Sequence, residues 1–418
     1  MCRLTECNGH AQTKKPFNSK MKRWVCCPVL RNLTVVKGMK MRCRFESTGR
    51  PAVPLGSRLL TDPSKVFEHN MWDHVQWSQK DKEMAEMKSR ENSAVLIPQE
   101  YQNTFDEEAS KYWNDFYIAH ESKFFKNRNW LFREFPEILS HKKETCTRED
   151  GECNAISTSS VESNLCHNDS WQSEDSSHFF AQGDNLKGHH TSVINETVCS
   201  CESSRRFSEF KEEMNAFPGS EATFRIFEVG CGAGNSVFPI LHALKDQDSG
   251  PFLYCCDFSS RAVELIKAHP NYSPALCHVF VHDVCTEAAT YPFPDESLDI
   301  ILLVFVLSSI HPERMHTVVN RLTRLLKPGG MLLFRDYGRY DLTQLRFKKG
   351  HCLSENFYVR GDGTCVYFFT KEEVHDLFAN TGLKEIQNLE DRRLQVNRKK
   401  QVIMHRVWMQ SKYQKPVT

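Results

Sequence analysis

The chain of 418 residues is long enough for more than one domain, and its 54 lysines and arginines against 53 acids leave a formal net charge of +1. The longest unbroken apolar run, residues 300–307, is far shorter than the roughly 18 residues of a membrane-spanning helix, so no transmembrane segment is predicted. The 17 cysteines form no C-x-x-C pair, which argues against a zinc ribbon and favours free thiols in a reducing compartment.

The first segment of the chain, residues 1–54, is predicted to be a targeting or disordered region. Residues 1–60 carry 13 lysines and arginines against two acids, Glu6 and Glu46. A basic, acid-poor start of this kind is typical of a mitochondrial presequence. A disordered basic arm that touches RNA phosphates is the alternative interpretation of the same composition.

Aromatic and basic side chains interleave in the next segment, residues 55–144. Aromatic rings stack on bases and cations neutralise phosphates, so this composition favours an RNA-binding region in which Lys126 and Arg128 contact phosphates. The alternative is an amphipathic helix whose aromatic residues pack on a core. That alternative is the better interpretation for three phenylalanines, Phe124, Phe132 and Phe135.

The composition changes twice in the rest of the chain. Residues 145–205 are rich in serine and cysteine and lack a periodic apolar pattern, which predicts a disordered insertion. From residue 206 to residue 418, short apolar runs alternate with helical patterns, as a doubly wound parallel sheet requires. The sequence therefore predicts an α/β catalytic domain over residues 206–418, with a seven-stranded sheet and a reversed last strand.

A glycine-rich loop follows the first apolar run of this domain. Residues 224–229 read FRIFEV, which is typical of a buried parallel strand, and the sequence G-x-G-x-G then runs from Gly230 to Gly234. Ligands of open α/β sheets bind at this kind of strand-to-helix turn. Glu228 stands just before the loop, where it would repel a pyrophosphate but suits a ligand with an ammonium and a sulfonium group. The sequence therefore favours S-adenosylmethionine over a dinucleotide.

Acidic residues end the next two predicted strands. Asp257 follows the apolar run 252–256 and is predicted to hold the ribose hydroxyls. Asp283 follows the run 278–282 and is placed to accept a hydrogen bond from the adenine amine. Together with the glycine loop, the two acids predict a class I, Rossmann-like, S-adenosylmethionine-dependent methyltransferase.

Seven short motifs carry a resemblance to a known family. They are YWNDFY (112–117), FFKNRNW (124–130), EVGCGAGN (228–235), CCDFSSRAVE (255–264), FVLSSIHP (305–312), LLFRDYGRYD (332–341) and NFYVRGDGT (356–364). On these motifs the chain closely resembles the methyltransferase-like tRNA 3-methylcytidine methyltransferases, from about Leu55 to the C-terminus outside the insertion. Its basic start makes it most similar to the mitochondrial member of that family.

The resemblance implies methyl transfer from S-adenosylmethionine to ring N3 of a cytidine at position 32 of the tRNA anticodon loop. Mitochondrial threonine and serine tRNAs are the expected substrates, and a cytosolic or nuclear enzyme is the alternative. A tRNA-binding helper such as seryl-tRNA synthetase is an expected partner. The matching cofactor residues are Trp113, Tyr117, Gly230, Asp257, Asp283, Val284 and Val304. Residues expected near RNA are Arg128, Arg335, Arg339 and Arg360. Lys126 is also expected there, because its segment is rich in basic and aromatic residues.

The proposed chemistry needs no general base, because N3 of neutral cytosine already carries a free in-plane lone pair. The product ring is cationic, so a carboxylate near it would stabilise the developing charge. Asp336 is the first candidate for that carboxylate and Asp362 is the second, and no metal is predicted. A class I methyltransferase of another RNA or protein, or a non-catalytic RNA-binding scaffold, would be the rival functions. The intact glycine loop argues against the scaffold.

Overall fold

The computed structural model describes residues 57–139, 217–245, 250–287 and 290–417. The predicted basic start (1–54) and the predicted serine-rich insertion (145–205) lie outside the described residues. Within the described part of the chain, no helix is both long and apolar enough to cross a membrane.

In the described part of the chain, eight strands form the central sheet, in the order β1-β10-β11-β6-β5-β2-β3-β4, and three short strands form a second sheet in the order β7-β8-β9. The strands are β1 (Met71–Trp72), β2 (Phe224–Val229), β3 (Pro251–Asp257), β4 (Cys277–Val281), β5 (Leu298–Val304), β6 (Leu326–Tyr337), β7 (Cys352–Ser354), β8 (Phe357–Val359), β9 (Cys365–Tyr367), β10 (Lys384–Asn397) and β11 (Val402–Gln414). Strands β2 to β6 pair in parallel, and β11 runs antiparallel to β6. This is the predicted doubly wound sheet with its reversed strand.

Helices cover both faces of the sheet. They are α1 (Gln79–Ser93), α2 (Gln99–Glu107), α3 (Ala109–His120), α4 (Leu131–Glu134), α5 (Val237–Leu244), α6 (Ser260–Lys267), α7 (Pro312–Leu325), α8 (Leu342–Leu345) and α9 (Lys371–Ala379). Side chains of a strand alternate between the two faces. Ile226 therefore packs with α4, α5 and α6, whereas its neighbour Phe227 packs on the face covered by α7 and α9.

The sequence located these helices and strands well where their signals are local. The sequence Thr-Lys-Glu-Glu at residues 370–373 predicts a capping box, which is confirmed: the Thr370 hydroxyl accepts from the Glu373 backbone N–H, and the Glu373 carboxylate accepts from the Thr370 N–H. The pattern of residues 260–267 predicts a helix, which is also confirmed. The apolar runs 394–396 and 401–409 predict two short last strands, whereas β10 and β11 form a hairpin with strands of 14 and 13 residues.

The structure adds two features that the sequence pattern did not predict. The central sheet has an eighth strand, β1, because Met71 and Trp72 pair with Gln395 and Leu394 at the edge of β10. The second sheet, β7-β8-β9, is inserted after β6, and its strands of three residues each are too short to show a periodic pattern. The eighth strand depends on contacts that are distant in sequence, whereas the second sheet pairs residues within 352–367.

Asp341 holds the loop after β6 against β11. Its side chain is fully buried, and Oδ1 accepts from the Thr343 backbone N–H at 2.8 Å. Oδ2 accepts from Arg406 Nε at 2.8 Å and from the Val407 backbone N–H at 2.9 Å. One carboxylate therefore caps α8 and pairs with a largely buried arginine.

We expect Asp341→Ala to lower the free energy of unfolding by about 3 kcal/mol, because the substitution leaves a guanidinium and two backbone donors without their acceptor. Urea unfolding monitored by circular dichroism measures the change. Glu372→Ala, at an exposed position on α9, is the matched control and should change the free energy of unfolding by less than about 0.5 kcal/mol. Equal midpoints for the two variants would contradict the structural role of Asp341.

Candidate active site

The glycine loop lies at the carboxyl end of β2, between that strand and α5. Gly230 has a φ of 62°, and a Cβ at this position would stand 2.6 Å from Cγ2 of Val306. Gly232 has a φ of 53°, and a Cβ there would collide with the hydroxyl of Tyr117. Both positions need glycine for their backbone conformation and for the close approach of a neighbouring segment. The loop thus offers backbone groups to a ligand without intervening side chains.

Glu228 is a buried carboxylate without a hydrogen-bond donor in the described part of the chain. Its residue is 1% exposed, and neither carboxylate oxygen has a hydrogen-bond partner among the described residues. Burial raises the pKa of Glu228 to about 7, against the opposing effect of the Arg128 guanidinium. A buried charge whose nearest cation is 3.8 Å away is costly, and a cationic ligand group reduces that cost. The ammonium of S-adenosylmethionine fits this carboxylate.

Asp257 and Asp283 lie at neighbouring strand ends, as predicted. The Asp257 carboxylate accepts from the Gly232 and Ser259 backbone N–H groups, each at 2.9 Å, so it also fixes the conformation of the glycine loop. Burial raises its pKa to about 6, and those two hydrogen bonds oppose the rise. Asp283 is exposed and accepts from the Cys285 N–H at 2.8 Å. Both carboxylates keep lone pairs that a ribose and an adenine amine can use.

Two buried valines complete the set of predicted cofactor residues on the sheet. Val304 ends β5 and is 1% exposed, and Val284 follows Asp283 and is 8% exposed. Together with Gly230 and Asp257, they lie at the carboxyl ends of four adjacent parallel strands, β5, β2, β3 and β4. Their arrangement is that of a ligand site at the carboxyl edge of an open α/β sheet.

Helix α3 covers the glycine loop. The Trp113 and Tyr117 rings stack with centroids 6.0 Å apart, and Tyr117 is buried against Gly232. Asn114 anchors the helix, because its Oδ1 accepts from Ser259 Oγ at 2.7 Å. The sequence analysis did not single out Asn114, although it lies inside the YWNDFY motif. The predicted cofactor residues Trp113 and Tyr117 are thus brought to the same site as the loop.

Arg128 lies inside this site and not on an RNA-facing surface as predicted. Its backbone N–H donates to the Asn235 carbonyl at 2.8 Å, and Nη1 donates to Ser236 Oγ at 2.9 Å. The same nitrogen is 3.8 Å from Glu228 Oε1, and the side chain is 16% exposed. The loop that carries Arg128 folds over the glycine loop, which the sequence could not show. We infer that Arg128 holds the carboxylate of the methionine part of the cofactor and that Glu228 holds the ammonium.

Two further arginines predicted near RNA have structural partners instead. Arg335 has a side chain that is 5% exposed, donates to Asp391 at 2.6 Å and to Gln410, and lies between the Trp130 and Trp408 rings. Arg339 donates to both oxygens of the Glu373 carboxylate, at 2.7 and 3.0 Å. Their guanidinium groups are occupied inside the protein, which corrects the prediction of RNA contact. Lys126 is half-buried in the segment between α3 and α4, where its predicted RNA contact stays a prediction.

The two carboxylates proposed to face the substrate occupy different environments. Asp336 is fully buried and accepts from the Ser308 and Tyr337 backbone N–H groups at 3.0 and 2.9 Å. Burial raises its pKa to about 6. Its carboxylate ties the loop after β5 to β6 and has no surface for a substrate, which corrects its assignment as the first candidate. Asp362 lies in the turn between β8 and β9, at the wall of an open cavity.

Phe305 is a residue that the sequence analysis missed. It follows β5 directly, has a φ of 60°, and is half-buried in an otherwise buried stretch. A positive φ is a strained conformation for a bulky side chain, and such strain concentrates at functional sites. The Phe305 ring lies between the Arg128 guanidinium, 5.5 Å from its centroid, and the Tyr337 ring at 5.1 Å. Phe305 therefore contacts both Arg128, beside the glycine loop, and Tyr337 at the end of β6.

Known proteins match this chain over nearly its whole length. A family model described as a methyltransferase domain matches residues 227–332. The tRNA N(3)-cytidine methyltransferase METTL2 of Danio rerio is 50% identical over 388 residues, which cover 93% of this chain and 96% of the relative. METTL2B of Homo sapiens is 49% identical, with 88% of this chain and 97% of the relative covered. The chain belongs to the tRNA N(3)-cytidine methyltransferase family.

The name of a third relative states a cellular compartment. The tRNA N(3)-cytidine methyltransferase METTL8, mitochondrial, of Homo sapiens is 50% identical over 277 residues, which cover 66% of this chain and 94% of that protein. Family membership, the methyltransferase domain and the fold agree with the site geometry. The protein is a class I methyltransferase, and S-adenosylmethionine is its cofactor.

We expect the affinity for S-adenosylmethionine to rise with pH up to about 7 and then to level off, because only ionised Glu228 pairs with the ammonium. Below pH 7 the affinity should fall by up to about tenfold per pH unit, and Asp257 adds to the loss below about pH 6. Titration calorimetry from pH 5.5 to 8.5 measures this profile. Glu228→Gln should bind more weakly at pH 8 and show a flatter profile. A flat wild-type profile would disprove the ammonium assignment.

We expect Arg128→Ala to weaken S-adenosylmethionine binding at least tenfold, because charge-assisted hydrogen bonds contribute about 1.5–3 kcal/mol each. Lys126→Ala removes a positive charge from the same segment and is the matched control, with an expected change of less than twofold. Calorimetry at pH 8 compares the two variants. If Lys126→Ala weakened cofactor binding as much as Arg128→Ala did, a general electrostatic effect would explain both results.

Proposed function

We propose that this protein transfers the methyl group of S-adenosylmethionine to ring N3 of a cytidine at position 32 of the tRNA anticodon loop. The observation that carries the proposal is the 50% identity to a tRNA N(3)-cytidine methyltransferase, which extends over 93% of the chain. The identity includes the region before the glycine loop as well as the sheet. A methyltransferase of another substrate class would share the sheet without needing that region.

The arrangement of the site suits this reaction. When bound, S-adenosylmethionine supplies an electrophilic methyl group, and N3 of neutral cytosine attacks with its own lone pair. The protein therefore needs to position the reactants and exclude water, and it needs no general base. Trp113 and Tyr117 lie over the glycine loop. We infer that Glu228 and Arg128 fix the methionine end of the cofactor and that Asp257 fixes the ribose.

We propose a mitochondrial location and mitochondrial threonine and serine tRNAs as substrates. The net excess of basic residues in residues 1–60 supports this proposal, since that composition is typical of a presequence. One relative has the word mitochondrial in its name, whereas the METTL2 names state no compartment. A cytosolic or nuclear enzyme is the competing proposal.

We also propose that a tRNA-binding helper, such as seryl-tRNA synthetase, assists substrate capture. Three of the arginines predicted to contact RNA, Arg128, Arg335 and Arg339, bind protein groups instead. Phosphate contacts supply much of the affinity of proteins for nucleic acid. A partner that brings its own RNA-binding surface would add the phosphate contacts that these three arginines do not make.

We expect 3-methylcytidine to disappear from mitochondrial tRNA, and to persist in cytosolic tRNA, when cells lose this protein. Nucleoside mass spectrometry of the two tRNA fractions measures this, and the purified protein with S-adenosylmethionine should restore the nucleoside in tRNA from the deficient cells. Addition of seryl-tRNA synthetase should increase the rate. Loss confined to cytosolic tRNA would overturn the proposed location, and no change in either fraction would overturn the proposed substrate.

A further inference from the structure

The segment between α3 and α4, together with α4 itself, is docked on the hairpin β10-β11 and the end of β6. The Trp130 ring lies against the guanidinium of Arg335, which is 5.0 Å from the ring centroid. One helical turn later, Glu134 accepts from Gln410 Nε2 at 3.0 Å and from Arg393 Nη2 at 2.9 Å. Residues far away in sequence therefore hold this segment in place.

Arg335 is the centre of the docking contact. Its guanidinium lies between the Trp130 and Trp408 rings, 5.0 and 4.9 Å from their centroids. It also donates to Asp391 at 2.6 Å and to Gln410. The Arg335 side chain is 5% exposed, and a cation–π contact is stronger when the cation is desolvated. Arg335 is therefore a firmly held support for the Trp130 ring.

A second connection leads from Arg335 to Arg128 through Phe305. The Arg335 carbonyl accepts from the Phe305 backbone N–H at 2.8 Å. The Phe305 ring in turn lies 5.5 Å from the guanidinium of Arg128. The main chain of Arg335 thus supports the ring that packs on Arg128, and its side chain supports Trp130, two residues further along the Arg128 segment. Both connections end at the same guanidinium.

The exact position of Arg128 matters for ligand binding. Nη1 is 3.8 Å from Glu228 Oε1, which is longer than a hydrogen bond. The same nitrogen donates to Ser236 Oγ at 2.9 Å and to the Val304 carbonyl at 3.4 Å. Hydrogen bonds weaken steeply with distance and angle, so a small displacement of the segment weakens the hold of Arg128 on a ligand carboxylate.

We propose that Arg335 and Trp130 are positioning residues for the cofactor: their stacked contact holds Arg128 where it binds the carboxylate of S-adenosylmethionine. This inference rests on the inferred role of Arg128, and it does not depend on which nucleoside is methylated. It assigns a use in cofactor binding to a buried arginine of the LLFRDYGRYD motif. The hairpin thereby supports the cofactor site through a chain of contacts.

Two ligands distinguish the positioning of Arg128 from a general structural effect. Decarboxylated S-adenosylmethionine keeps the adenosine, the sulfonium and the ammonium of the cofactor and lacks only the carboxylate. Titration calorimetry with the full-length protein at pH 8 compares the two. We expect Trp130→Ala to weaken S-adenosylmethionine binding about fivefold, and binding of the decarboxylated ligand less than about twofold, because the lost contact acts on the carboxylate alone. Trp130→Phe keeps a flat ring and should restore affinity to within about twofold of wild type.

The matched control is Trp77→Ala. Trp77 is also half-buried and stacks on an arginine of the hairpin, with Arg392 4.7 Å from its ring centroid. This variant should leave both affinities unchanged. In the Arg128→Ala background, Trp130→Ala should cause less than about a twofold further loss, because the residue through which it acts is gone.

Equal weakening of the two ligands by Trp130→Ala would indicate a purely structural role and overturn the inference. Full additivity of Trp130→Ala with Arg128→Ala, or unchanged S-adenosylmethionine affinity in Trp130→Ala, would also overturn it. If Trp130→Ala does not fold, Trp130→Leu, which keeps more of the apolar volume, makes the same comparison. An Arg128→Ala variant that binds S-adenosylmethionine as tightly as the wild type would overturn the role of Arg128, and this inference with it.

Discussion

The buried carboxylate of Glu228 constrains the whole carboxyl edge of the sheet. It lies at the end of a strand that is apolar on both faces, and no donor among the described residues satisfies its oxygens. Uncompensated burial of a charge is unfavourable, and burial accordingly raises the pKa of Glu228 to about 7. The surrounding structure reduces this cost only in part, through the guanidinium of Arg128 at 3.8 Å. On the proposed assignment, the ammonium of the cofactor supplies the rest of the charge pairing at Glu228.

The region before the insertion is part of the catalytic centre and not an appended domain. Contacts across more than a hundred residues join it to the sheet: Arg128 to Ser236, Asn114 to Ser259, and Asn235 to the Phe125 carbonyl. A loop and a helix from this region cover the glycine loop, so cofactor binding and the position of α3 depend on each other. The same helix reaches the open cavity beside Asp362 through Tyr112 and Asp115. One helix thereby contacts both the glycine loop and this cavity.

Arginines in two of the sequence motifs make structural contacts inside the protein. Several arginines in the RDYG and FKNR motifs are held by carboxylates, amides and aromatic rings inside the protein. The planar guanidinium suits such positions, because it can donate several hydrogen bonds and stack on rings at the same time. These arginines organise the hairpin β10-β11 and the end of β6. RNA affinity then depends on other cations and on any partner, so a motif rich in arginine does not by itself identify an RNA-binding surface.

The sequence by itself determined the parallel strands β2 to β6, the glycine loop, the strand-end acids and the capping box at Thr370. Each of these is specified by neighbouring residues: an apolar run, a turn that needs glycine, or a hydroxyl three residues before an acid. The resemblance of the motifs to those of the family also predicted Trp113 and Tyr117 as cofactor residues. Only the tertiary structure decided which polar side chains face the ligand. The sequence does not distinguish the environments of Asp336 and Asp362. In the structure, Asp336 is fully buried and accepts from backbone N–H groups, whereas Asp362 lines an open cavity. Arg128 and the eighth strand likewise depend on contacts between segments far apart in the chain, and local patterns carry no information about such contacts.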